Sequence, residues 1–282
     1  MTTSRFAPSP TGRLHLGHAL SAVLGDDAAK RSGGRWLLRI EDLDPGRCRG
    51  EFVDGIFADL EWLGLRFDGE PVVQSGRTEA YAVALSWLKS RGLVYPCFCT
   101  RAEIAASLNA PHGTAGATYP GTCRALCDDP SRRATIAHSW RLDHVKAIAE
   151  AGLPDWKEVD GSRHQSGAEN FEDVILARKD APSSYHLACV VDDSATDIDL
   201  VVRGADLRSS TPVQRLLQRL LDLPEPTYLH HPLVTHDDGR RLAKRDLAPT
   251  LLAMREDGVD GRALADQLRR GELPLGFRRS PT

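Results

Sequence analysis

Residues 5–18 read RFAPSPTGRLHLGH, and the succession of residue types in this stretch decides the fold class. Arg5 to Ser9 has the form of a short strand running into a turn, PSPTG, and from Leu16 to Lys30 the chain is Ala-rich and helix-compatible. Strand, phosphate-sized loop and helix in this order open a nucleotide-binding α/β fold. His15 and His18 stand three residues apart at the mouth of the predicted helix and project from one side of its first turn. The N–H groups and positive end of a helix favour an anion there, and two imidazoles can donate hydrogen bonds to phosphoryl oxygens as charge develops. Gly17 lets a nucleotide lie against the backbone. Alone, an H-x-x-H pair is weak evidence, since most such histidines are surface or structurally satisfied residues.

Working outward, Arg35 to Ile40 (RWLLRI) reads as a buried strand that stops at Glu41 and Asp42. That places two carboxylates where a parallel strand's carboxyl end meets ligand. Two amphipathic helices are expected next, one with Phe52, Ile56, Leu60 and Leu63 on a face, the other with Tyr81, Leu85 and Leu88. From about Pro96 to Arg178 the alternation breaks down and reads as an insertion, with GTAGAT (residues 113–118) as a mobile tip. The α/β pattern then resumes with two apolar strands, Leu187–Val191 and Ile198–Val202, and a helix from Thr211 to Leu221 that Ser210 or Thr211 can cap. A strand from Tyr228 and a loop, DDGRRLAKR, precede a last helical segment containing Leu251, Leu252, Met254, Leu264 and Leu268. No internal repeat is visible.

Composition narrows the function classes. A length of 282 residues suits one large α/β unit or a main domain with an insertion. With 41% hydrophobic residues the chain can bury a full core, and a net charge of −3 excludes a uniformly basic nucleic-acid binder. From Arg240 onward, ten Lys/Arg face six Asp/Glu, so a local anionic partner is permitted. The N-terminus lacks a leader pattern and no stretch is long and apolar enough to span a bilayer, so no membrane role and a cytoplasmic location are expected. Six cysteines in that setting point to reduced thiols or metal ligands. Lys244, in the Gly-preceded basic loop, suits a flexible point charge on a triphosphate, against the alternative of a solvated basic turn.

These segments together resemble the glutamyl branch of the class I aminoacyl-tRNA synthetases. RFAPSPTGRLHLGH resembles that branch's extended HIGH signature, RIEDLD (39–44) its strand-end acidic motif, YHLACVVDD (185–193) and VVRGADL (201–207) its amino-acid pocket, and RLAKR (241–245) its KMSKS loop. The resemblance implies a Rossmann-type α/β catalytic fold carrying an inserted α+β zinc-containing domain, and an ATP-dependent ligase activity. The organisation it implies is 1–95 and 179–245 as the two halves of the catalytic domain, 96–178 as the insertion, and 246–282 as a short helical segment. His15, His18 and Lys244 are then the catalytic residues, and Pro8, His15, Gly17, His18 and Lys244 surround ATP with its Mg²⁺. Arg5, Ala7, Ser9, Glu41, Tyr185 and Arg203 surround L-glutamate. Arg203 or Arg5 can form a two-pronged bond to the substrate's side-chain carboxylate while Glu41 accepts from its ammonium group. Neighbouring salt bridges remain an alternative use of Glu41 and Arg203, as does a core position for Tyr185. Arg241 and Ala243 depart from the usual Lys and Ser of the last loop, and Cys189 stands where related enzymes often have Asn.

Cys97, Cys99, Tyr119 and Cys123 resemble a zinc site with a phenolate oxygen as fourth ligand, and His112 and Cys127 are rival ligands. After Arg245, 37 residues follow, too few for the branch's helical anticodon-binding region. With the CFC and YPGTC segments, this resembles short members that activate glutamate without tRNA and transfer it to queuosine at the wobble position of tRNA(Asp). In those enzymes the anticodon stem-loop itself meets the active-site side, and a monomer is expected. The rival readings are a short enzyme charging the tRNA 3′ end, a catalytically silent RNA-binding regulator, and a small-molecule adenylate-forming ligase.

Overall fold

The computed structural model describes residues 1–100, 102–104, 119–126, 129–240 and 249–280. Lys244, Arg241, Ala243, His112, Cys127 and the GTAGAT segment lie outside the described residues.

The chain opens with β1 (Thr3–Phe6), α1 (Leu16–Arg31), β2 (Arg35–Ile40), α2 (Gly50–Trp62), β3 (Val72–Val73) and α3 (Thr78–Ser90). Next come β4 (Val94–Cys97), α4 (Pro130–Thr135), β5 (Ser139–Leu142), α5 (His144–Ala151), β6 (Asp155–Lys157), β7 (Arg163–Gln165) and β8 (Ile175–Ala177). The remainder contains α6 (Tyr185–Ala195), β9 (Leu200–Gly204), α7 (Thr211–Leu220), β10 (Thr227–His231), β11 (Val234–His236), α8 (Leu251–Glu256), α9 (Gly261–Arg269) and β12 (Phe277–Arg279).

Five strands form the main sheet in the order β10-β9-β1-β2-β3, all paired in parallel. β1 therefore lies between a strand that follows closely in sequence and one from nearly two hundred residues later. That is a topological switch point, where loops diverge at the strands' carboxyl ends and leave a crevice. Register keeps those ends level: Phe6 pairs with Leu38, and Arg203 with His230. β4, β5 and β8 form a separate antiparallel sheet, and β6 and β7 a hairpin. Leu16, Leu20, Val23, Trp36, Leu38, Ile56 and Leu60 share one core with Leu251, Leu264 and Leu268, so the basic C-terminal helices pack back onto the first half of the fold. No described helix is long and apolar enough to cross a membrane.

Three sequence expectations are corrected. Leu187–Val191 is not a strand but the middle of α6. Leu187, Ala188, Cys189 and Val190 are all buried, and a helix buried on nearly every side reads as a continuous apolar run, which periodicity cannot tell from a buried strand. Asp192 and Asp193 are buried as well. Asp192 accepts from Arg77 Nε at 2.6 Å, Gln74 Nε2 at 2.9 Å and Tyr81 OH at 2.7 Å. The second correction concerns the cap of α7: Ser210 makes no side-chain capping bond, and the Thr211 hydroxyl accepts from Arg203 Nη2 at 2.8 Å instead. The run 205–210 already winds as a 3₁₀ turn into α7, so this helix start does not leave its first N–H groups open as an abrupt one would. β1 also ends at Phe6 rather than Ser9, because Pro8 has no N–H to extend the ladder.

Candidate active site

A cavity of about 540 Å³ opens at the carboxyl edge of the sheet. Its wall includes Arg5, Ala7, Pro8, Ser9, His15, Gly17, His18, Glu41, Tyr185 and Arg203. Every residue expected from the sequence to meet ATP or the amino acid, apart from Lys244 outside the described residues, thus borders one space.

The two histidines owe their orientation to the helix behind them. His15 is the N-cap of α1; its Nδ1 accepts from the Gly17 backbone N–H at 3.1 Å, while His18 Nδ1 accepts from the His15 N–H at 3.1 Å. This reciprocal arrangement is a capping box built from imidazoles in place of the usual hydroxyl and carboxylate. Because each Nδ1 accepts, each neutral ring carries its proton on Nε2, so both present a donor. The ring centroids are 3.9 Å apart. A Cβ on Gly17 would stand 3.1 Å from His15 Cε1. The glycine's nearest effect is therefore to let the His15 ring fold back over the cap, a role the sequence reading assigned to nucleotide approach.

A buried charge cluster lies beneath the amino-acid side of the cavity. Arg5 Nε donates to Asp193 Oδ1 at 3.0 Å and its Nη2 to Oδ2 at 3.5 Å. Arg39 Nη1 also donates to Asp193, and its Nη2 donates to Glu41 Oε1 at 3.0 Å. Burial opposes ionisation of Asp193, but Arg39 and Arg5 overcome it and hold the carboxyl at about 2. Glu41 is raised from its ordinary value by burial, with Arg39 opposing. Burial raises the Cys189 thiol to about 11, and Arg39 Nη2 donates to its sulfur at 3.3 Å. Arg5 is thus committed to Asp193, which leaves Arg203 as the better placed of the two arginines for a substrate carboxylate.

Arg203 is 4% exposed. Its Nη1 donates to Gln214 Oε1 at 2.7 Å and to the Tyr185 hydroxyl at 3.3 Å, Nη2 to Thr211 Oγ1 at 2.8 Å, and Nε to His230 Nε2 at 3.1 Å. All four acceptors are neutral, and among the described residues Arg203 enters no ion pair. A buried guanidinium bordering a cavity without a counter-ion favours entry of an anion.

Arg39, Asp193, Glu158 and His230 were not singled out from the sequence. For Arg39 a signal existed: in RIEDLD it precedes Glu41 by two positions, which puts both on one face of an extended chain. Asp193 closes the YHLACVVDD segment, but Glu158 and His230 carry no local signature, because their partners lie far away in sequence.

Outside this cavity, Cys97, Cys99 and Cys123 bring their sulfurs within 4.8 Å of one another. The Tyr119 hydroxyl lies 3.5 Å from Cys97 Sγ and 4.0 Å from Cys99 Sγ, and accepts from the Cys123 N–H at 2.8 Å. Burial, reinforced by the neighbouring thiols, pushes Cys99 up to about 12. A cation at the centre would remove that penalty, and tetrahedral zinc–sulfur bonds of about 2.3 Å need sulfurs spaced much as these are.

Comparison with known proteins agrees with this geometry. Residues 1–275 match the family described as "tRNA synthetases class I (E and Q), catalytic domain". The glutamyl-Q tRNA(Asp) synthetase of Rhodobacter capsulatus is 42% identical over 268 residues, covering 91% of this chain and 95% of that one. The protein of the same name from Nocardia farcinica is 46% identical, covering 96% and 80%. The crystal structure of glutamate-tRNA synthetase from Elizabethkingia anophelis superposes with a TM-score of 0.80 at 24% identity, over 95% of this chain and 61% of that one. A glutamate tRNA ligase from Elizabethkingia meningosepticum, in complex with its amino acid, gives the same TM-score over 60% of its length. The chain thus spans about three fifths of these two solved structures, which share its fold. It belongs to the class I tRNA synthetases of the glutamate and glutamine type, and within them to the family of the glutamyl-Q tRNA(Asp) synthetases.

Proposed function

We propose that this protein activates glutamate with ATP and transfers it to queuosine at the wobble position of tRNA(Asp). The observation that carries the reading is one cavity joining two anion sites. One is the buried Arg203, which enters no ion pair among the described residues, for a side-chain carboxylate; the other is the His15 and His18 Nε2 donors at the start of α1 for phosphate.

In the first step an oxygen of glutamate's α-carboxylate attacks the α-phosphorus of ATP. The bond between the α-phosphorus and its bridging oxygen breaks, giving glutamyl-adenylate and pyrophosphate. Charge that builds on the phosphoryl oxygens meets the two imidazole donors and the positive end of α1, and Lys244 supplies a further cation. Mg²⁺ bound to the nucleotide would add charge neutralisation there. Glu41, held by Arg39, receives the substrate's ammonium group, and Arg203 its side-chain carboxylate. Glutamine would set an amide against Arg203 and leave the fork mispaired, a mismatch that discriminates strongly in a buried site. In the second step a queuosine hydroxyl attacks the activated carbonyl; an ester forms, AMP leaves and the hydroxyl proton departs. A cytoplasmic monomer with residues 96–178 as an inserted domain goes with this reading.

Two assays test it. ATP–pyrophosphate exchange should depend on glutamate and not on glutamine. Ester formation should require tRNA(Asp) that carries queuosine. Exchange without transfer to that tRNA, or charging of the 3′ end of tRNA lacking queuosine, would reject the acceptor. Absence of exchange with or without tRNA would reject the chemistry.

The cysteine cluster fits a structural zinc held by Cys97, Cys99, Cys123 and Tyr119, which would tie residues 119–123 to β4. Purified protein is expected to contain about one zinc per chain by elemental analysis, and Cys123→Ala almost none. Tyr119→Phe should bind zinc more weakly in a chelator competition. Metal-free wild-type protein of undiminished thermal stability would overturn this assignment.

A further inference from the structure

We infer that Glu158 and His230 are positioning residues for the amino-acid substrate, because they fix the Arg203 guanidinium in the orientation that faces the cavity. The inference rests on the reading of Arg203 as receptor of the substrate's side-chain carboxylate, and adds the residues that set its geometry.

His230 on β10 is the direct register partner of Arg203 on β9. Arg203 Nε donates to His230 Nε2 at 3.1 Å, which requires that nitrogen to carry a lone pair. The other ring nitrogen, Nδ1, lies 2.7 Å from Glu158 Oε1. An ionised carboxylate can only accept, so Glu158 places the imidazole proton on Nδ1 and leaves Nε2 as the acceptor that Arg203 needs. Burial, with Arg203 adding to it, lowers His230 to about 4, so the ring is neutral at ordinary pH.

Glu158 is itself immobilised. Its Oε1 accepts from Trp156 Nε1 at 3.1 Å and its Oε2 from the His230 backbone N–H at 3.3 Å. The next residue, Val159, donates its N–H to the Tyr228 carbonyl at 3.0 Å. The carboxylate comes from the β6–β7 hairpin region, so a segment outside the main sheet reaches in to orient a side chain of that sheet. Without Glu158 the proton on Nδ1 loses its acceptor, and only the contacts at Nε2, from Arg203 Nε and from Thr211 Oγ1 at 3.1 Å, still bias the tautomer. In the alternative tautomer an N–H on Nε2 would confront the Arg203 Nε–H. The guanidinium would then rotate, disturbing its bonds to Thr211 and Gln214.

The test is ATP–pyrophosphate exchange with glutamate varied, on the full-length protein. Glu158→Ala and His230→Leu should each raise the KM for glutamate by about 10- to 100-fold, with kcat and the KM for ATP within about threefold of wild type. His230→Gln should recover most of the loss, since its amide can accept on one side and donate on the other. In an Arg203→Lys background, Glu158→Ala should add less than about twofold, because both changes act through one group. An unchanged glutamate KM in Glu158→Ala would overturn the inference, as would losses falling equally on glutamate and ATP, or equal defects in His230→Gln and His230→Leu. Should Glu158→Ala not fold, the two His230 variants carry the comparison. A wild-type protein without glutamate-dependent exchange sinks the functional reading; an active wild type with an indifferent Glu158 sinks the relay alone.

Discussion

Arg203→Lys is expected to lower kcat/KM for glutamate in the exchange reaction by about 10² to 10³, while the KM for ATP stays within about threefold. Lysine keeps the charge, so the effect isolates geometry. A guanidinium can hold Thr211, Gln214 and His230 with three donors and, once the 3.3 Å bond to Tyr185 yields, turn the other two toward a carboxylate in one plane, whereas an ammonium offers three donors from one point. The loss corresponds to about 3 to 4 kcal/mol, within the range for disrupting a buried, hydrogen-bonded charge pair. Far-UV circular dichroism should confirm that the fold persists. A variant within fivefold of wild type would mean that the substrate carboxylate is bound elsewhere.

The second large effect concerns stability. Asp193→Asn removes the carboxylate shared by Arg5 and Arg39, both less than a tenth exposed. Two buried guanidinium groups would then lack that partner, and breaking such a cluster costs about 3 to 5 kcal/mol. The pH dependence has a definite sign. The folded-state carboxyl sits at about 2, below its ordinary value of 3.8, so its contribution is fully present above that ordinary value and is lost as pH falls toward 2. Urea unfolding should give a gap between wild type and variant that is constant from pH 8 to about 5 and narrows below about 4. A gap under 1 kcal/mol at pH 7, or one that widens on acidification, would contradict the role given to Asp193.

The parts of this fold that were legible in the sequence are those whose physics is local. The strand, loop and helix of residues 3–31, the strand ending at Glu41 and the helix from Thr211 each announce themselves within a dozen residues. The resemblance to a known branch then supplied the rest of the cavity wall, and the structure brings those residues to one crevice because parallel register levels the strand ends. α6 reads as a strand because burial on nearly every side of its middle erases the periodicity that marks a helix. Its two aspartates, which close the YHLACVVDD segment, are buried and offset by ion pairs to Arg77, Arg5 and Arg39. Glu158 and His230 were invisible for a different reason: each gains meaning only from a partner at least 27 positions away, Arg203 or the other member of the pair.

The strand order also bears on how the chain is made. As translation proceeds, β1 can pair with β2 early, but its other neighbour, β9, leaves the ribosome only after most of the polypeptide has been synthesised. Until then the nascent sheet keeps an open parallel edge, a site of wrong association. Arg5 and Arg39 likewise wait for the carboxylate of Asp193. A chain that stopped before β9 would lack one wall of the crevice at the carboxyl ends of β1 and β9.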